Sequence, residues 1–246
     1  MVLRKATGRA VIKQRIITAV IALPILVLCV FYASQGLFSG LLFVISALAL
    51  REFYRMALPG ERRLEGSLSI VAGIFCCLGI VYAASPSAIL LSIVLPFLLL
   101  TLVYLFRCQD MQKVSRDLAV SLFGILYIPV LLAHAVLLRA LPDGRNWLFV
   151  VLFVVMASDS LAYLFGMKYG KHSLYKAVSP KKTVEGSIGG LVGSVLGAAI
   201  CKYWFFPGLN WLDIMLVGIG VGAFSQLGDL VESLLKRSFG VKDSGS

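Results

Sequence analysis

Eight apolar runs, separated by short polar stretches, divide the 246-residue chain. They are Ile16–Tyr32, Leu37–Leu50, Leu68–Ala84, Ala88–Phe106, Leu118–Leu138, Trp147–Phe165, Glu185–Cys201 and Trp211–Leu227. A helix needs roughly 20 apolar residues to cross about 30 Å of hydrocarbon. The second run is short and predicts a tilted or partly re-entrant segment. Tyr32, Trp147, Trp204 and Trp211 fall near run ends, where interfacial aromatics settle. The pattern predicts an all-α, polytopic transmembrane bundle of about eight spans. It divides into an N-terminal region, 1–146, and a C-terminal region, 147–246.

Composition supports a membrane. Soluble domains carry about 45–50% apolar and about 25% charged residues. This chain has 59% and 14%, with a mean hydropathy of +0.93. Its net charge of +11 would suggest nucleic acid in a soluble protein. The cations instead stand in short runs between apolar segments, as in loops beside anionic lipid. The expected partner is therefore the bilayer, not nucleic acid.

With the N-terminus placed in the cytoplasm, the inside segments hold most of the basic residues. They carry five in 1–15, four in 51–66, three in 107–117, five in 166–184 and three in 228–246. Only Arg139, Arg145 and Lys202 fall outside. Both termini of this chain are expected in the cytoplasm. The first run is about 17 residues, long for a signal peptide, and Phe31 occupies the −3 position for a cut after Ala33. A retained helix is expected there.

The five cysteines make no C-x-x-C pair and read as small buried hydrophobes. Gly189, Gly193 and Gly197 recur every fourth residue and predict a smooth helix face for close packing. Gly218, Gly220 and Gly222 lie within an apolar run rather than after a strand, so they make no nucleotide loop.

Charge within a span is costly and marks candidate chemistry. Asp159 sits inside the sixth run; its bland reading is a structural carboxylate paired with a lysine or an amide. His134, in the fifth, has no spaced partner and reads as a hydrogen-bonded packing residue. The next loop places Ser179, Lys181, Lys182 and Thr183 before a helix N-terminus, where free amides and the dipole favour an anion. That fits a phosphate cradle equally with an ordinary basic loop capped by Thr183. If the eighth helix continues, Asp229, Glu232, Ser233, Lys236 and Arg237 share one face. Carboxylates and cations so arranged suit a magnesium–polyphosphate complex, or simple i,i+4 pairing of Glu232 with Lys236.

These blocks resemble the phosphatidate cytidylyltransferase family of bacterial type. The resemblance rests on Asp159 through Ala162-Tyr163, Gly166 and Gly170-Lys171-His172, and on Ser-Pro-Lys-Lys-Thr-x-Glu-Gly at 179–186. It extends to Gly228-Asp229-Leu230-x-Glu232-Ser233-x-x-Lys236-Arg237, then Lys242-Asp243-Ser244-Gly245-Ser246. The opening Lys13-Gln14-Arg15-Ile16 is also similar; elsewhere the N-terminal half is similar mainly in hydropathy.

The resemblance implies a membrane nucleotidyltransferase that joins CTP to phosphatidate. It implies a metal-binding, catalytic Asp229 and catalytic cations at Lys236 and Arg237. It puts Asp159, Ser179, Lys181, Lys182, Thr183, Glu185, Glu232, Ser233, Lys242 and Asp243 with substrate. It also implies Mg2+, with room for a second cation, a homodimer, and the bacterial inner membrane. The family signature continues past Asp243 with a His-Gly-Gly and an Asp-Arg-x-Asp element carrying a second metal carboxylate, then a last helix. The resemblance therefore leaves two readings, a fragment or an inactive variant. Two other functions compete: a CTP-dependent lipid kinase of the dolichol-kinase type, and a transporter or assembly protein using Asp159 as a relay.

Overall fold

The computed structural model describes residues 24–25, 27–107 and 110–241. Most of the first apolar run, Cys108, Lys242 and Asp243 lie outside the described residues. Within them the helices are α1 (Gln35–Ala57), α2 (Arg63–Tyr82, after a 3-10 turn at Gly60–Arg62), α3 (Pro86–Phe106), α4 (Met111–Ile125), α5 (Leu131–Ala140), α6 (Gly144–Tyr169), α7 (Val184–Trp204) and α8 (Trp211–Ser238). A π-turn at Leu126–Val130 joins α4 to α5 into one rod. Pro129 lies in that turn, and its missing amide breaks the regular ladder.

Seven rods among the described residues are long and apolar enough to cross a membrane, with 18-residue windows of mean hydropathy from 1.6 to 2.7. The protein is an integral membrane protein with an all-α transmembrane bundle. Its outward faces are apolar, with Leu90, Leu91, Phe97, Leu98 and Leu105 exposed, while Ser46, Ser69, Ser121 and Ser194 are buried. That inversion is stable where lipid, not water, meets the surface.

The ends of the elements follow local chemistry. Ser34 caps α1 by accepting from the Leu37 amide, Ser85 caps α3 ahead of Pro86, and Asn210 and Asp213 form a reciprocal capping box on α8. The second run is no short re-entrant segment: α1 is 23 residues long, because the polar turns around Gln35 and Arg51 stay helical. The buried Arg139 is more than an outside loop charge. It donates to the carbonyls of Val30, Ala33 and Ser34 and to Gln35 Oε1, so it closes a helical stretch ending at residue 32.

A buried ion cluster ties α2, α3 and α4 at one face. Arg62 lies 3.0 Å from Glu65 and 3.4 Å from Asp117, and Arg107 lies 3.2 Å from Glu65. At the same face Phe53 on α1 packs edge-on against Phe239 past the end of α8, with ring centroids 5.8 Å apart. Counting spans puts the 58–62 turn, the end of α3, the start of α4, the 170–183 loop and the end of α8 together on this basic face.

Cys76 and Cys77 are buried thiols donating to the carbonyls of Ser92 and Pro129, as small core residues should. His134 bonds the Val130 carbonyl of its own helix turn. Gly193 and Gly197 press against Ala157 on α6, and Gly189 against Phe165, as the four-residue spacing predicts.

Candidate active site

Three helices and a hairpin build one cavity of about 370 Å3 on the basic face, its wall mostly apolar with a few converging polar groups. The all-α bundle carries one short hairpin that the sequence pattern does not predict, where β1 (Ser173–Tyr175) pairs antiparallel with β2 (Ser179–Thr183). Asp159 from α6, Lys181, Lys182 and Thr183 from β2, Ser187 from the first turn of α7, and Gln226 and Asp229 from α8 line the cavity. Lys182 Nζ stands 3.0 Å from Asp229 Oδ2, joining hairpin to helix.

Local chemistry sets this arrangement. Thr183 is the N-cap of α7, its hydroxyl accepting from the Gly186 amide at 3.1 Å. Glu185 in the first turn reaches back over the loop. Its carboxylate accepts from the backbone amides of Lys171 and His172 and lies 2.6 Å from His172 Nδ1. The loop after α6 is thereby held down, and the end of β2 is held in the cavity wall. A Cβ on Gly186 would stand 2.9 Å from the Ala162 carbonyl and 3.2 Å from Gly166 Cα. Only glycine lets α7 start that close to α6. Gln226 donates to the Ser187 carbonyl at 3.1 Å and locks α8 to the same turn.

Of the residues expected from sequence, the structure brings Asp159, Lys181, Lys182, Thr183 and Asp229 to one wall. Ser179, Glu185, Glu232, Ser233, Lys236 and Arg237 do not line it, and Lys242 and Asp243 lie outside the described residues. Ser179 opens β2 opposite Tyr175, and Glu185 serves the loop clamp. Helix α8 does continue, but it carries Glu232, Ser233, Lys236 and Arg237 beyond the cavity, Lys236 about 10 Å along the axis from Asp229. There Lys236 pairs with Glu232 at 2.6 Å, the bland reading of that spacing. Tyr163 and Gln226 line the cavity without having been assigned a role from sequence. The available signal was helical: Tyr163 is four residues after Asp159, and Gln226 three before Asp229.

The residue set can be tested against a metal ion. Mg2+ takes oxygen ligands, commonly one or two carboxylates completed by waters and substrate phosphates. The cavity offers the carboxylates Asp159 and Asp229. No group of three or more metal-binding side chains occurs among the described residues. That donor set fits magnesium arriving with a polyphosphate.

Fold and cavity define a class: an integral membrane protein whose helix bundle ends in a cavity that holds two carboxylates and two lysines. Within that class the chain belongs to the cytidylyltransferase family, whose sequence profile matches residues 13–246. A phosphatidate cytidylyltransferase of Staphylococcus haemolyticus is 35% identical, covering 95% of this chain and 88% of the relative. One of Staphylococcus epidermidis is 32% identical with the same coverage. One of Staphylococcus saprophyticus is 39% identical over 52% of this chain and 49% of its own length.

Proposed function

We propose that the chain condenses CTP with phosphatidate, giving CDP-diacylglycerol and pyrophosphate, at the cavity between α6, the hairpin and α8. A phosphatidate phosphate oxygen bonds to the α-phosphorus of CTP, and the bond from that phosphorus to the bridging oxygen of the β-phosphate breaks. The convergence of Asp159, Asp229, Lys181 and Lys182 on one cavity, in a chain of this family, carries the reading.

Such transfers depend mostly on positioning and charge stabilisation. Lys181 and Lys182 hold the triphosphate, with the N-terminus of α7 favouring the same charge. Lys182 pairs with Asp229 and exchanges that partner for a phosphate oxygen. Glu185 keeps the hairpin in place, and Gln226 keeps α7 and α8 in register around the cavity. Asp229 and Asp159 would hold magnesium, which when bound neutralises the triphosphate and the departing pyrophosphate.

The same reading puts the basic face in the cytoplasm of a bacterium, where CTP is found, the chain in the inner membrane, and two copies in a homodimer. Reporter fusions at the end of α8 test the first point, and crosslinking in native membranes the last. The activity is tested in proteoliposomes holding phosphatidate, CTP and magnesium. Changing Lys181 and Lys182 together to Ala should raise the KM for CTP by more than about tenfold, the loss of one to two charge-assisted contacts. Unchanged kinetics reduce the loop to a topology signal. A product that gains phosphate without cytidine overturns the reading in favour of a lipid kinase.

A further inference from the structure

A second cavity is larger than the one that holds Asp229. About 490 Å3 of space opens between the last turns of α1 and the first turns of α2, also on the basic face. Four arginines line it, Arg51, Arg55, Arg62 and Arg63, and no carboxylate does so among the described residues. Sequence charge counts read these residues only as a topology signal.

The four are not alike. Arg62 is buried and answered by Glu65 and Asp117, and with Arg107 the cluster holds two guanidiniums against two carboxylates. Arg51, Arg55 and Arg63 are exposed, and none forms an ion pair among the described residues. Glu52 and Glu61 are near in sequence but stand outside the cavity lining. Arg51 and Arg55 stand at i,i+4 on α1, where like charges oppose helix formation, and Arg63 joins them from α2. Neither the Gly60–Arg62 turn nor α2 has a side-chain N-cap, so the first-turn amides of a 20-residue helix add to the same positive field. Three guanidiniums around one hollow, with no ion-pair partner among the described residues, call for an anion with several oxygens.

The surroundings favour a lipid as its source. Val44 and Leu48 continue the Arg51–Arg55 face of α1 toward the membrane interior at helical spacing, and they are 57% and 58% exposed. Leu58 and Ile70 form apolar wall inside the cavity itself. A phosphate held by the arginines would leave its acyl chains along that apolar stripe.

We propose that this cavity is a second, non-catalytic site that binds the phosphate headgroup of an anionic phospholipid. It shares no lining residue with the cavity of Asp159 and Asp229.

Native mass spectrometry of the purified full chain tests this with dioleoylphosphatidylglycerol, which is no substrate of the proposed reaction. Dioleoylphosphatidylcholine is the neutral control, and millimolar inorganic phosphate the competitor. The wild type should prefer the anionic lipid by about tenfold or more. The R51Q/R55Q/R63Q variant should bind both lipids within about twofold of each other, while K181Q/K182Q keeps the preference. If the triple variant does not elute as a folded protein, R55Q alone should lose about threefold and E52Q nothing. An unchanged preference in the folded arginine variants overturns the site. Displacement of the lipid by inorganic phosphate overturns the lipid assignment and leaves a small-anion site.

Discussion

Lys182 Nζ and Asp229 Oδ2 meet at 3.0 Å across 47 residues of sequence, closing the hairpin onto α8. The pair is partly exposed, so its own contribution to stability is below about 1 kcal/mol. Asp229→Asn should therefore insert and melt almost as the wild type does. On the proposal that Asp229 holds magnesium, the variant's activity should fall on the order of a thousandfold, several kcal/mol of transition-state stabilisation. CDP-diacylglycerol formation across a magnesium titration, beside a melting curve in detergent, separates the two. If more than about a tenth of the rate survives at saturating magnesium, Asp229 is only the partner of Lys182.

Glu185 should act at a distance from the reacting phosphates. It holds the amides of Lys171 and His172 and the His172 ring, and does not line the cavity. Glu185→Ala should free the 170–175 loop and loosen β2. The KM for CTP should rise about tenfold, by some 1.4 kcal/mol, with kcat falling less. Hydrogen exchange over 171–183 should speed up in parallel. Unchanged exchange with reduced activity would instead make Glu185 a direct substrate ligand.

The contact between α6 and α7 should tolerate no added methyl at Gly193. A Cβ there would stand 2.6 Å from the Ala157 carbonyl and 2.9 Å from Leu161 Cβ. Backbone cannot yield as a flexible side-chain tip can, so Gly193→Ala should cost about 1–3 kcal/mol by overpacking. Gly220, with open space around it, serves as the control. Equal melting temperatures for the two alanine variants would show that the helices separate freely.

Hydropathy made the lipid-crossing part of each helix legible and little beyond it. Ala88–Phe106 was expected and Pro86–Phe106 is found, because both ends of that helix coincide with its apolar run. The expected Trp211–Leu227 continues to Ser238, because the charged stretch after Leu227 is helical but leaves the apolar layer. The hairpin carries no alternating pattern: Ser-Pro-Lys-Lys-Thr shows a loop's composition, and pairing with Ser173–Tyr175 is a tertiary fact. Asp159 and Asp229 were each legible as intramembrane or membrane-edge carboxylates, but nothing in sequence spacing could bring them to one cavity. The arginine-lined hollow was hidden for the same reason, since a charge count does not register space.

The buried ion cluster gives the sharpest stability test. Glu65 is 1% exposed, and its Oε1 faces Arg62 at 3.0 Å and Arg107 at 3.2 Å. Arg107 is half exposed and can turn to water, whereas Arg62 is buried and keeps Asp117, at 3.4 Å, as its one counter-charge among the described residues, beside a 3.1 Å bond to the Arg107 carbonyl. Glu65→Leu removes the nearer of Arg62's two carboxylates and leaves a guanidinium under-compensated in a low-dielectric site. Breaking a buried pair from one side costs about 3–5 kcal/mol, and replacing the whole cluster by apolar groups is often neutral. The single variant should thus unfold far more easily in a denaturing-detergent titration, and R62M/E65L/D117L should recover most of the loss. The cluster holds α2 to α4 and lies apart from Asp229, so any Glu65→Leu protein that stays folded should keep its KM for CTP. A single variant within about 1 kcal/mol of wild type would mean that water reaches Arg62 and that the cluster adds little to the fold.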